Sequence, residues 1–73
     1  MKISYDSEID AVYIRLIEGD HECRTLRLNE DIALNIGSGE ILVGIEILDA
    51  CDVLGSGRLP IIEVENLPVK TSG

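Results

Sequence analysis

Apolar residues fall at every second position through most of this chain, and that alternation marks out its strands. The strongest run is Ile41-Leu42-Val43-Gly44-Ile45-Glu46-Ile47-Leu48-Asp49-Ala50. In it Ile41, Val43, Ile45 and Ile47 recur at period two and predict one buried strand face. The other face carries Leu42, Gly44, Glu46 and Leu48. It is half apolar, so this strand is expected at the centre of a sheet and covered on both sides. Gly44 adds nothing to packing, and its presence implies a bulge or a close backbone approach.

Weaker runs frame this one. Residues 2–5 alternate and predict a first short strand. Residues 6–10 are polar and form a turn. Residues 11–18 predict a second strand, with Val12, Ile14 and Leu16 on one face and Tyr13, Arg15 and Ile17 on the other. Residues 24–29 predict a third, with Leu26 and Leu28 inward and Arg27 outward. Residues 32–36 predict a fourth, with Ile32, Leu34 and Ile36 on its apolar side. Gly37-Ser38-Gly39-Glu40 is the clearest hairpin turn, two glycines supplying positive φ between two alternating runs.

Asp49 to Gly55 reads as a short helical turn, with Asp49 as N-cap and Gly55 as terminator. Leu59-Pro60-Ile61-Ile62-Glu63-Val64 is a candidate sixth strand, confined to an edge by Pro60. From Leu67-Pro68 on the chain reads as a frayed tail. The fold class is therefore mainly β (α+β): an antiparallel β-meander of five or six strands with one short helical turn near residues 49–54. Residues 1–54 form the β domain, and 55–73 are an extension of it.

Length limits what this sheet can bury. A chain of 73 residues is one domain with a small core, and such chains commonly rely on a metal, disulfides or a partner subunit. Cys23 and Cys51 do not make a disulfide framework and are expected as reduced thiols. His21 is the only histidine and there is no C-x-x-C pair, so no zinc set is present. No apolar run reaches the length of a membrane span, and the first residues do not resemble a signal peptide; a cytoplasmic protein is expected. The net charge of −8 disfavours phosphate-backbone binding, although Arg15, Arg24 and Arg27 could share one sheet face. It suits a basic partner.

Two blocks carry a resemblance. Met1-Lys2-Ile3-Ser4-Tyr5-Asp6-x-Glu8-x-Asp10-Ala11-x-Tyr13-Ile14-Arg15-Leu16 and Gly44-Ile45-Glu46-Ile47-Leu48-Asp49-Ala50 closely resemble the YuzE-like family of small prokaryotic domains (domain of unknown function 2283). The resemblance covers residues 1–54. It implies a small β-rich domain of bacteria and archaea with no assigned activity. The family's occurrence beside small toxin-like genes implies an antitoxin-like role.

Candidate chemistry is sparse. Asp6, Glu8 and Asp10 could hold a hard cation, though an EF-hand loop would not run straight into a strand. The competing reading is a turn whose Asp6 and Asp10 carboxylates accept backbone amides. Glu46 is a charge in an apolar strand, and Arg15 and Arg27 are its expected ion-pair partners. His21 reads as a solvated loop residue. Cys51 lies near a possible helix start, which would lower its pKa, and beside acidic residues, which would raise it again; it reads as a buried inert thiol. Tyr5 and Tyr13 are expected in the core with hydroxyls at the rim. No catalytic residue and no cofactor site are assigned.

A central strand apolar on both faces calls for a second copy. The first expectation is a non-catalytic, self-associating interaction module, a homodimer first, using Tyr13, Arg15, Leu42, Glu46 and Leu48 as interface and open to a small basic protein partner. The alternatives are a metal-binding protein or metal-dependent enzyme built on the acidic turn, and a nucleic-acid-binding regulator.

Overall fold

The computed structural model describes residues 1–55 and 57–65. Five strands form one antiparallel sheet: β1 (Lys2–Asp6), β2 (Ala11–Arg15), β3 (Arg24–Arg27), β4 (Ile32–Ile36) and β5 (Leu42–Ile47). A 3-10 turn, Ser38–Glu40, precedes β5, and a one-turn helix, α1 (Ala50–Leu54), follows it. The mainly β, antiparallel class read from the alternation is the one observed.

The strand order is β1-β2-β5-β4-β3. In a sequential meander β2 would pair with β3. Here β5 enters between β2 and β4, and the two hairpins β1–β2 and β3–β4 flank it. The strand that is apolar on both faces thus takes the centre. β2 ends at Arg15, not at residue 18, because the Arg15 guanidinium donates to the Ile17 carbonyl (3.1 Å) and the Gly19 carbonyl and curls the chain away. β3 ends at Arg27, short of residue 29. There the Asn29 side-chain oxygen accepts the Asp31 and Ile32 amides, both at 2.8 Å, and turns the chain early.

The expected faces of β5 hold only in part. Asn35 lies opposite Gly44 but Ile36 lies opposite Leu42, so β5 carries one extra residue, Val43. This bulge inverts the alternation beyond it. Ile45 and Ile47 remain on the apolar face, Leu42 joins them opposite Ile36, and Val43 turns to the other face beside Tyr13, Arg15 and Asn35. The turn before β5 needs positive φ at Gly39 (76°) and Glu40 (61°), whereas Gly37 is extended.

Gly44 meets both expectations set by its place in the strand. It adjoins the bulge, and Tyr13 lies over it so closely that a Cβ would stand 2.1 Å from the phenol oxygen. The phenol is fixed by Asn35, whose amide nitrogen donates to it at 3.0 Å.

The core is small. Val12, Ile47 and Ala50 form it, with Ile14, Ile45 and Val53 packed around them, so α1 covers the β2–β5 part of the apolar face. Leu26 and Leu28 were expected inward. They are 42% and 58% exposed, because five helical residues cannot reach over β4 to β3. Residues 59–64 form no sixth strand. Pro60 cannot donate to a ladder, and Leu59, Pro60 and Ile62 instead approach Ile3, Tyr5, Val12 and Ile14 around a small apolar cavity of about 150 Å³. The expected tail from Leu67 lies outside the described residues.

The Tyr13–Gly44 contact gives a sign-reversing prediction. Gly44→Ala must push the phenol off Asn35 and is expected to cost about 1–3 kcal/mol in urea unfolding. In a Tyr13→Val background the obstacle is gone. The same substitution should then be neutral or stabilising by roughly 0.5–1 kcal/mol, the usual gain of Ala over Gly inside a strand.

Candidate functional site

The two sequence blocks that carry the family resemblance meet at one end of the sheet. Asp10 closes the β1–β2 turn with a left-handed backbone (φ 51°) and joins the start of α1 twice. Its carbonyl accepts the Ala50 amide at 2.9 Å, and its two carboxylate oxygens each lie 3.3 Å from the Cys51 amide. The Tyr5 hydroxyl donates to the same carboxylate at 2.9 Å and lies 3.8 Å from the Cys51 Sγ.

Asp49 stands at the N-cap position, as its place in the sequence suggests, but it caps nothing with its side chain. Its backbone is left-handed (φ 53°, ψ 45°) and its carboxylate makes no capping bond. The cap comes from Asp10, about 40 residues earlier in the chain, through the ordinary preference of helix amides for a carboxylate.

The electrostatics of the cluster follow from these bonds. The Cys51 side chain beside Asp10 holds its carboxyl below the ordinary value of 3.8, and the Tyr5 hydroxyl and the Cys51 amide act in the same sense against burial. The same contacts raise the other two groups: Asp10 first, then Cys51, push the Tyr5 phenol up, and Asp10 pushes the Cys51 thiol up. Cys51 is therefore a protonated thiol at neutral pH, a weak nucleophile. Asp49 is raised by the nearby charge of Asp52, by burial, and by Asp31 and Asp10.

The other predicted positions are dispersed. Asp6 accepts the Glu8 amide at 3.0 Å, the turn bond anticipated for it, whereas Asp10 reaches across to α1 and accepts no amide of its own turn. Among the described residues no group of three or more His, Cys, Asp or Glu side chains is placed to hold a metal ion. Glu46 lies half-buried opposite Tyr13 and Ala33, and neither Arg15 nor Arg27 pairs with it. Arg15 is committed to its own loop, and Arg27 donates to the Asn29 and Glu30 carbonyls. The one ion pair among the described residues joins Arg24 to Glu40 at 2.5 Å.

By register Arg24 lies on the apolar face, opposite Ile36, while Arg15 and Arg27 lie on the other. The three arginines therefore do not share a face. His21 is exposed and its ring sits 2.7 Å from the Glu18 carbonyl. Cys23 is exposed and Cys51 half-buried, and both are free thiols. Of the expected interface set, Tyr13, Arg15 and Glu46 share the polar face and Leu48 borders it beside Ile9 and Ala11. Leu42 lies on the apolar face.

The arrangement braces the fold: a carboxylate whose pKa is lowered is engaged by a helix amide, a phenol and a thiol neighbour. It defines a small single-sheet domain whose short helix is latched to its first hairpin. The chain belongs to the family described as "Protein of unknown function (DUF2283)", whose model matches residues 2–50. No curated protein and no solved structure matches the chain. Among the described residues, no helix is long and apolar enough to cross a membrane. The role of Asp10 was hidden in sequence because its partner lies so far along the chain. The only signal was that both blocks of the resemblance contain an aspartate beside an alanine.

The latch makes stability depend on pH with a defined sign. Because the folded carboxyl of Asp10 titrates below its ordinary value, its contribution is complete above the ordinary carboxylate range. It is lost as the pH falls towards the lower folded value. Asp10→Asn keeps a residue tolerant of the left-handed backbone and removes the charge. The variant is expected to unfold at lower urea than the parent near neutral pH, and the gap should narrow on acidification to about pH 3. Asp49 has the opposite sign. Asp49→Asn should raise stability near neutral pH and leave the acid limb unchanged.

Proposed function

We propose that this protein is a non-catalytic, self-associating interaction module. The observation that carries the reading is the unfinished apolar face. Among the described residues, the only buried hydrophobic side chains are Val12, Ala33, Val43, Ile47 and Ala50, and no large side chain is fully enclosed. Ile3, Tyr5, Leu26 and Leu28 stay between 40% and 58% exposed on the apolar face, Ile3 and Tyr5 in spite of the approach of Leu59, Pro60 and Ile62. A sheet face of this kind gains from a second copy, since each square ångström of apolar surface withdrawn from water contributes about 25 cal/mol.

The chemistry of the cluster supports a scaffold over an enzyme. The Cys51 thiol is held protonated, and the Asp10 carboxylate is occupied by the Cys51 amide and the Tyr5 hydroxyl. The committed guanidinium groups of Arg15, Arg24 and Arg27 weigh against a phosphate-binding surface. An antitoxin-like form of the reading adds a small basic protein as partner. The net charge of −8 favours its encounter and makes the association salt-dependent.

Light scattering on the purified chain at micromolar concentration tests the reading. A particle of at least twice the 8.0 kDa chain mass is expected. A stable monomer would overturn it. Capture of a small basic protein that is released by salt would support the antitoxin-like form.

A further inference from the structure

We propose that the self-association runs through the free edge of β1, two copies pairing β1 antiparallel about Ser4 into a continuous ten-stranded sheet. This rests on the self-association reading and names its surface and register.

β1 and β3 are the two edges of the sheet. An exposed edge pairs with another copy unless something prevents it. β3 reads Arg24-Thr25-Leu26-Arg27. It carries two arginines and no carboxylate, so pairing with its own copy gains no opposite-charge pair within the strand. β1 reads Lys2-Ile3-Ser4-Tyr5-Asp6. Paired with itself about Ser4 it sets Lys2 against Asp6 twice and Ile3 against Tyr5 twice. Of the two edges, β1 is the one that gains opposite-charge pairs from its own copy.

The backbone phase agrees with this register. The Leu16 amide donates to the Val43 carbonyl across β2 and β5, so even-numbered residues of β2 bond to β5 and odd-numbered ones turn to β1. Tyr13, opposite Ser4, therefore bonds to β1, and Ile3 and Tyr5 hold their N–H and C=O towards the free edge. Among the described residues no backbone hydrogen bond outside the strand pairs reaches either of them. In the Ser4-centred register Ile3 and Tyr5 are the hydrogen-bonded partners, and every outward group of the strand is used.

Lys2 adds a separate reason. Within its own sheet it lies opposite Arg15, a like charge, and among the described residues it has no carboxylate partner. Asp6 of a second copy supplies one. On the apolar face, Ile3 and Tyr5 line the cavity beneath Leu59 and Pro60, so the pairing carries that apolar strip unbroken from one copy to the next.

Charge reversal tests the pairing on the full chain. Lys2→Asp meets Arg15 favourably in its own protomer but faces Asp6 of the second copy. It should raise protomer stability while weakening the dimer by roughly tenfold or more. A purely structural role for Lys2 would not move the two readouts in opposite directions. Asp6→Lys should also weaken the dimer. An equimolar mixture of the two variants should recover a mixed dimer by light scattering.

Because Asp6→Lys also removes the turn bond to the Glu8 amide, a second probe is independent of it. Ser4 sits on the two-fold axis at a non-hydrogen-bonded position, where opposed Cα atoms lie about 4.5 Å apart, within disulfide range. Ser4→Cys in a Cys23→Ser, Cys51→Ser background should oxidise to a covalent dimer in near-complete yield. A dimeric parent whose Lys2→Asp variant dimerises unchanged, or whose Ser4→Cys variant does not bridge, overturns the edge and leaves self-association standing. A monomeric parent overturns both.

Discussion

Everything at the closed end of this domain depends on one carboxylate. Asp10 ends the first hairpin, and through its carbonyl and its side chain it receives the first two amides of α1. Those bonds set α1 over the β2–β5 part of the sheet, where Ala50 and Val53 complete the core around Val12 and Ile47. A five-residue helix has no stability of its own in water. Its order comes from being held at its N-terminus and packed along one side, and the hold comes from a residue that belongs to a strand turn.

A second constraint governs the opposite face. Tyr13 needs the floor beneath it to be flat, and only glycine at position 44 leaves room. The bulge at Val43 adjoins that contact and changes which residues of β5 look which way. Central strand, bulge and aromatic lid form one unit, and Asn35 on β4 locks it from the other side.

Much of this was legible in the alternation of the chain. The strands were visible as period-two runs because each buries one side, and the central place of β5 was visible because both its sides are apolar. The order of the strands was not, since alternation reports which residues face inward and says nothing of which strand is the neighbour. The bulge was signalled by Gly44 but not located, because one extra residue in an apolar run leaves no mark of its own. At the site, Asp6 could be read as a turn acceptor because its partner is two residues away, whereas the task of Asp10 depended on a contact with Cys51 at the far end of the fold. The Glu46 pairing failed for a physical reason: the nearest guanidinium groups satisfy loop carbonyls, which hold them closer to the backbone than a carboxylate across the sheet would.

The strand order has a consequence for how the chain acquires its shape. The two hairpins are local in sequence and can close as soon as each is made, but they share no ladder with one another. The strand that unites them is the last of the five to be synthesised. Until residue 47 is available the sheet exists only as two separate ribbons, each with an open apolar side, and isolated hairpins are marginal in water. Docking of β5 against β2 is then the cooperative step, in which the long-range pairing on that flank, the seating of Tyr13 and the latching of α1 are gained together. Such late, non-local closure is slow compared with hairpin formation. It leaves a nascent chain of this family exposed to premature association for longer than its small size would suggest.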